Sequence, residues 1–283
     1  MQGTKRWSEA PSTLKAVRGH LASMQAQDHE APDVLYEKEG RVAILTLNRE
    51  KKLNALRKKT IRELGEALKR IESDKEIGCV VLTARGRSFC AGADILEYSN
   101  MTSREEFMEF QMTGEKLHES IESFPKPVIA AVNGLALGGG FEIALVCDII
   151  IASESSQFGF PEIKIGLIPG GGGTQRLTRI VGPKTAKRLF MTGDPITSQE
   201  ALRLDIVSEV VPPDNLRASA LELATKIASM SPEAVTALKR LVNMATVGAY
   251  GMALPYERMM VTFLYDTGES KARIKEFVEK RKK

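Results

Sequence analysis

The chain is poor in the residues that metal and nucleophile chemistry most often uses. Among its 283 residues there are three histidines, His20, His29 and His118, and they are scattered. Neither a zinc site nor a Ser-His-Asp triad has much material to work with. Cysteine is equally scarce: Cys79, Cys90 and Cys147 lie in or beside apolar runs, without metal-ligand spacing. An odd, sparse count favours a reducing compartment and buried thiols. No apolar run approaches the roughly 18 residues that a membrane crossing needs. Phosphate-loop signatures are missing too. No G-x-x-x-x-G-K-[ST] occurs, and Gly134 to Gly140 does not fit G-x-G-x-x-G.

A hydrophobic content of 43% leaves ample material for one large domain, or a core with a smaller appendage. The net charge of +4 suits an anionic small ligand as well as it suits nucleic acid, so it selects neither.

The stretch Ala130–Asp148, AAVNGLALGGGFEIALVCD, organises the rest. Val128 to Val132, bounded by Pro127 and Asn133-Gly134, predicts a short buried strand. Gly138, Gly139 and Gly140 follow, and then Phe141 to Val146 reads as a helix start. Glycines between strand and helix let the backbone approach a ligand closely. The unpaired N–H groups and positive dipole end of the helix then suit an oxygen that becomes negative. Glu142, in the first turn, is placed to serve as acid or base. Tight packing and a simple helix-dipole partner are the plainer readings of the same residues.

Residues 1–33 read as an N-terminal extension. The part before Met24 carries Lys5, Arg6, Lys15 and Arg18 against one acid, Glu9. A targeting presequence, an early start codon and a disordered arm share that pattern. Cytoplasmic residence is the expectation, with the mitochondrial matrix as the alternative if the extension is a presequence.

From Val34 the pattern sharpens. Val34–Lys38 and Val42–Leu47 predict a hairpin, and Ile61, Leu64, Leu68 and Ile71 a helix. Cys79–Thr83 is the next strand, leading into the loop Ala84–Asp94; a second helix covers about 103–122. Short strands follow at Ile149–Ala152 and Gln157–Gly159. This strand, strand, helix cadence differs from simple doubly wound alternation. Beyond Val211 only helices are expected. Leu216, Ala220, Leu223 and Ile227 mark the first, and Ser231-Pro232-Glu233 caps the second. Leu254–Leu264 and Lys271–Lys280 supply two more. Their wide apolar stripes predict packing on the core and on neighbouring subunits.

A second carboxylate stands twenty residues after the first. Glu162 has Phe160, Pro161 and Ile163 beside it, surroundings that would desolvate the group and raise its pKa. The plainer alternative is a loop glutamate bonded to an arginine such as Arg176. Two carboxylates on glycine-rich turns, without metal ligands, fit paired acid–base chemistry.

These residues resemble the crotonase family, also called the enoyl-CoA hydratase/isomerase family, from about Val34 to the C-terminus. The motifs are Cys90-Ala91-Gly92-Ala93-Asp94-Ile95, Asn133 through Glu142, Pro161-Glu162-Ile163, Gly170 through Gln175, Gly193-Asp194, and Phe277 through Arg281. One departure is Ala272-Arg273, where the family often has Glu-Gly. The resemblance implies an α/β fold: a spiral of ββα turns over 34–211 and a C-terminal α-helical oligomerisation region over 212–283. It implies a homotrimer or a hexamer made of two trimers, and an acyl-CoA substrate of the kind met in fatty-acid β-oxidation. Reversible hydration of an enoyl-CoA is the implied reaction, because both glutamates are present. Glu142 and Glu162 match the acid–base pair, and Ala93 and Gly139 the oxyanion-hole N–H groups. Gly170 matches the water-positioning group, and Ala91, Gly92, Asp94 and Ile95 belong to the substrate-binding motif. No metal or redox cofactor is called for, since the substrate carries its own coenzyme A.

Double-bond isomerisation and thioester hydrolysis are alternatives within the family. RNA binding, as in a methylglutaconyl-CoA-hydratase-like protein, is an alternative of another class. Its material is Arg49–Arg70, with Arg49, Lys51, Lys52, Arg57, Lys58, Lys59, Arg62, Lys69 and Arg70. Glu50, Glu63 and Glu66 are interleaved and no aromatic is there to stack on bases. A solvated face, or a subset meeting the CoA phosphates, is the preferred reading.

Overall fold

Alternate residues of the long strands face opposite sides, and both sides are apolar, so the sheet they form must be covered twice. The computed structural model describes residues 31–247 and 250–280. Most of the extension read over 1–33 therefore lies outside the described residues. Asp33, at its predicted end, belongs to the folded body: it is 2% exposed and accepts hydrogen bonds from Arg57 and Thr60.

The first sheet has the order β1 (Val34–Glu39), β2 (Val42–Leu47), β3 (Cys79–Ala84), β5 (Val128–Val132), β7 (Ile149–Ser153), β10 (Glu209–Val211). The β1–β2 pair is the predicted antiparallel hairpin, and the remaining pairs are parallel. A second sheet has the order β4 (Ser88–Cys90), β6 (Leu135–Leu137), β8 (Gln157–Gly159), β9 (Ile196–Thr197). Its pairs are parallel except β8–β9.

Each turn of chain lays two strands and then a helix; the β1–β2 hairpin lies wholly in the first sheet, and the next three turns put one strand in each sheet. Thus β3 and β4 precede α2 (Ile95–Ser99) and α3 (Arg104–Glu122), as β1 and β2 precede α1 (Lys58–Ser73). Next, β5 and β6 precede α4 (Gly139–Val146), and β7 and β8 precede α5 (Gly173–Thr192). This repeated ββα turn is the source of the cadence in the sequence. The strands β4 and β6 fall where the sequence predicts only a loop and a glycine turn. At three residues each, they are too short to display a two-residue period.

One face of the first sheet, carrying Leu45, Leu82, Ala130 and Ala152, joins the main core with α1, α3 and α4. The other face, carrying Ile44, Val81, Ile129 and Ile151, is covered by α7 (Leu216–Ala228), which follows the short α6 (Ser198–Arg203). The contact stripe of α7 is Leu216, Ala220, Ala224 and Ala228, with Leu223 and Ile227 only partly buried. The predicted stripe, Leu216, Ala220, Leu223 and Ile227, packs on this face, with Ala224 and Ala228 the more deeply buried residues of its C-terminal half.

Three helices follow: α8 (Pro232–Val247), α9 (Tyr250–Tyr265) and α10 (Gly268–Lys280). They expose large apolar side chains, among them Leu238, Val242, Val261, Phe263 and Phe277. Among the described residues no helix is long and apolar enough to cross a membrane.

Candidate active site

The chain leaves β6 through Gly138, whose φ of 51° and ψ of −126° suit glycine alone. Gly138 donates its N–H to Gly159 of β8 over 2.9 Å, seating the turn on the second sheet. Helix α4 begins at Gly139, so the Gly139 N–H belongs to the first turn and has no intrahelical partner. Gly140 packs directly on the neighbouring loop: a Cβ there would fall 2.2 Å from the Cys90 carbonyl oxygen. That contact brings α4 against the segment carrying Ala93.

Ala93 is turned toward the same place by a one-residue parallel bridge with Leu56. Leu56 donates to the Gly92 carbonyl and accepts from the Asp94 N–H, each over 2.8 Å. In a parallel bridge these two bonds straddle the middle residue, so the Ala93 N–H points to the other side. A Cβ built on Gly139 would lie 3.8 Å from Ala93 N. The two N–H groups therefore stand side by side, and neither donates to another group among the described residues.

Side chains fix the bridge. Asp94 caps α2 through Leu96 N at 3.2 Å and pairs with Arg49 at 2.9 Å. Asn54, fully buried at φ 56°, donates to the carbonyls of Arg85 and Ser88. Arg49 and Arg57, two cations of the basic segment, are committed inward to Asp94 and Asp33.

Glu142 is 4% exposed, and its Oε1 accepts from Gly171 N at 2.7 Å and Gly173 N at 2.8 Å. Burial pushes its pKa up; the Gly173 and Gly171 N–H groups, then the charge of Arg176, pull it partly back. The result is a carboxyl with one oxygen fixed.

Glu162 sits on the 3-10 turn Pro161–Ile165, in a different electrostatic setting. Its Oε2 is buried without a hydrogen-bond partner among the described residues. Burial, with the Glu142 charge adding to it, raises its pKa to about 7 against a single opposing backbone bond. Arg176 does not reach it, donating instead to the Gly171 carbonyl at 2.9 Å and to Glu122 at 2.7 Å. Of the sequence neighbours expected to desolvate it, Phe160 is buried and Pro161 lines the same cavity. Ile163 is 43% exposed, whereas Glu162 Oε1 would lie only 2.9 Å from a Cβ on Gly138. The glycine turn itself covers the carboxyl.

Ala93, Gly139, Glu142 and Glu162 all line one cavity of about 300 Å³. Comparisons with known proteins give the family. The family described as Enoyl-CoA hydratase/isomerase matches residues 37–283. The chain belongs to this family. It is 45% identical over 254 residues to the short-chain-enoyl-CoA hydratase of Clostridium acetobutylicum, covering 89% of this chain and 97% of that one. Identity to the crotonyl-CoA hydratase of Syntrophomonas wolfei is 40% over 251 residues, covering 88% and 96%. The crystal structure of an enoyl-CoA hydratase from Bacillus anthracis superposes with a TM-score of 0.85 at 36% identity, covering 88% and 96%.

In this enoyl-CoA hydratase/isomerase chain the cavity also takes in Ala91, Gly92, Ile95 and Gly170. Asp94 does not line it; its carboxylate is used in the cap and the Arg49 pair. The N–H groups that hold Glu142 belong to Gly171 and Gly173, while Gly170 lies against Gln111. Three side chains that the sequence analysis does not single out for the site line it as well: Tyr98, Gln111 and His118. Gln111 donates to the Tyr98 hydroxyl at 3.0 Å. His118 lies on α3 among the buried residues Phe110, Leu117 and Ile121. A histidine within an apolar helix stripe is the signal that counting scattered histidines passes over.

Proposed function

We propose that this chain is an enoyl-CoA hydratase that adds water reversibly across the 2,3 double bond of an enoyl-CoA thioester. The observation that carries this reading is two N–H groups, Ala93 and Gly139, without a partner among the described residues and sharing a cavity with Glu142 and Glu162. Water adding at the β-carbon puts negative charge on the thioester oxygen. Two pre-aimed N–H groups stabilise that enolate, and losing one such donor typically costs about 3 kcal/mol of barrier.

The carboxyls divide the proton work. Glu142, with one oxygen held by two N–H donors, is suited to be the anion that takes a proton from water. The hydroxyl then bonds the β-carbon, and Glu162, whose charged form burial disfavours, gives a proton to the α-carbon. The pair ends with its protonation reversed and re-equilibrates through solvent. Because the two groups interact, they titrate as a pair. The reaction so drawn uses no metal or redox cofactor, and coenzyme A arrives with the substrate.

A short acyl group is the preferred substrate in this reading. The two relatives named above carry short-chain and crotonyl names, and Tyr98, Phe107 and Phe110 pack edge to face in the cavity wall. Turnover of a panel of enoyl-CoA esters, short to long, tests both levels. Crotonyl-CoA hydrated fastest is the expected result; isomerisation or hydrolysis without hydration would overturn the assignment. RNA binding loses part of its support, since Arg49 and Arg57 are used internally.

Assembly through α8–α10 into a homotrimer or hexamer belongs to the same proposal, supported by their exposed apolar side chains. Cytoplasmic residence does too, or the mitochondrial matrix should the extension be a presequence. The buried free thiols of Cys79, Cys90 and Cys147 suit either compartment.

A further inference from the structure

We propose that His118 is a positioning residue for Glu142, acting through the carbonyl of Gly171; the proposal rests on the hydratase reading above. His118 is 5% exposed, and its Nδ1 lies 2.9 Å from Gly171 O. A carbonyl only accepts, so the hydrogen is on Nδ1. Burial lowers the imidazole pKa to about 4, which keeps the ring neutral in that role.

The geometry of the glycine run explains what this bond does. Glu142 Oε1 is held by the N–H groups of Gly171 and Gly173, which belong to two peptide units with one unit between them. The Gly171 carbonyl belongs to that middle unit. It receives His118 Nδ1–H and Arg176 Nη1–H, each at 2.9 Å. Residues 170 to 173 are all glycine, and Gly172 has φ 95°. Glycine has the greatest backbone freedom of any residue, so the run cannot hold its own shape and takes it from outside. A Cβ on Gly171 would lie 2.3 Å from His118 Cε1 and 2.6 Å from Glu142 Oε2, so both side chains close on the same residue.

Space filling alone does not account for an imidazole here. A buried polar ring among Phe110, Leu117 and Ile121 costs free energy unless it is bonded, and an apolar side chain would avoid that cost. The histidine makes sense if its bond to the loop is what matters. A shift of about 1 Å in a reacting group can cost about a hundredfold in rate, so a loosened loop would be felt at the chemical step.

The test compares His118→Leu with His118→Asn, whose amide nitrogen sits as many bonds from the backbone as Nδ1. Parent turnover of crotonyl-CoA is measured first; its absence overturns the hydratase reading itself, and this proposal with it. Given turnover, H118L should lose roughly tenfold or more in kcat with KM changed less than about twofold, and H118N should regain most of that loss. In a Glu142→Gln background H118L should cost little further, because both changes act on one group. Parent-like kcat in H118L, a loss confined to KM, no rescue by Asn, or full additivity with E142Q would each overturn the proposal. Should H118L not fold, His118→Gln decides: its amide reaches one bond too far, so its kcat must fall below that of H118N, and equal values overturn it.

Discussion

The Gly171 N–H donates to Glu142 Oε1 over 2.7 Å, and this bond favours the charged form of Glu142, a buried glutamate that shares its cavity with the half-buried Glu162. Glu162, lining the same cavity, has a buried oxygen with no such donor among the described residues. Two chemically identical side chains are thereby made unlike. Replacing either by glutamine keeps its size and removes its proton chemistry. Glu142→Gln and Glu162→Gln should each reduce hydratase kcat by roughly a hundredfold or more. Acyl-CoA binding, read by calorimetry, should persist in both. Near-normal turnover of crotonyl-CoA by either variant would remove that residue from the mechanism.

The same asymmetry predicts a pH profile. The proposed acid must be protonated, and burial raises Glu162 to about 7. Its proton is lost as pH rises through that value, so kcat/KM for hydration should fall on the alkaline side of about 7. The proposed base must be ionised, and burial raises Glu142 as well, so the rate should also fall on the acid side. The two limbs belong to the coupled pair rather than to separate residues.

Stability carries the opposite signature. Between the ordinary carboxyl value of 4.5 and about 7, the folded chain binds a proton at Glu162 that the unfolded chain has lost. Folding stability from this group is therefore greatest below that window and declines as pH rises through it. Urea unfolding of parent and Glu162→Gln should show the variant gaining relative stability across that interval. Parallel curves would place the Glu162 titration elsewhere.

Much of this site is legible in the residues themselves, and what is hidden has physical reasons. Val128–Val132 and the glycines after it announce a strand and a turn, because an apolar run and a lost Cβ leave marks in composition. Glu142 follows from its place in the first helical turn. The bridge that turns the Ala93 N–H outward involves Leu56, 37 positions earlier, and nothing local records that pairing. The same holds for the Gly171 and Gly173 donors, which meet Glu142 only after the chain has made another turn of the spiral. Asp94 shows the converse: a motif residue whose local chemistry, capping α2, takes it away from the cavity.

Assembly should depend on the last three helices. Leu238 and Val242 of α8 are 62% and 61% exposed, so a charge at either position costs the single chain little. In a trimer that buries them, the same charge would be desolvated. Leu238→Glu and Val242→Glu should shift the parent from trimer or hexamer toward monomer in light scattering at micromolar concentration. A monomeric parent, or variants that assemble as it does, would move the interface away from this face.

The sharpest question is whether the Gly139 N–H acts on the reaction or only closes a turn. In the proposed mechanism it faces the thioester oxygen, which gains charge only as water adds, so its contribution is larger in the transition state than with bound substrate. Gly139→Pro removes the donor but also restricts the backbone, so it confounds the two roles. A backbone ester at Gly139, made by semisynthesis, deletes the N–H and keeps the shape. Since that N–H has no partner among the described residues, folding should not suffer from its loss. The variant should bind acyl-CoA nearly as well as the parent while kcat falls by roughly a hundredfold. Equal weakening of binding with kcat intact would make the loop a ligand holder. An unchanged enzyme would mean that the enolate is stabilised by groups other than the Gly139 N–H.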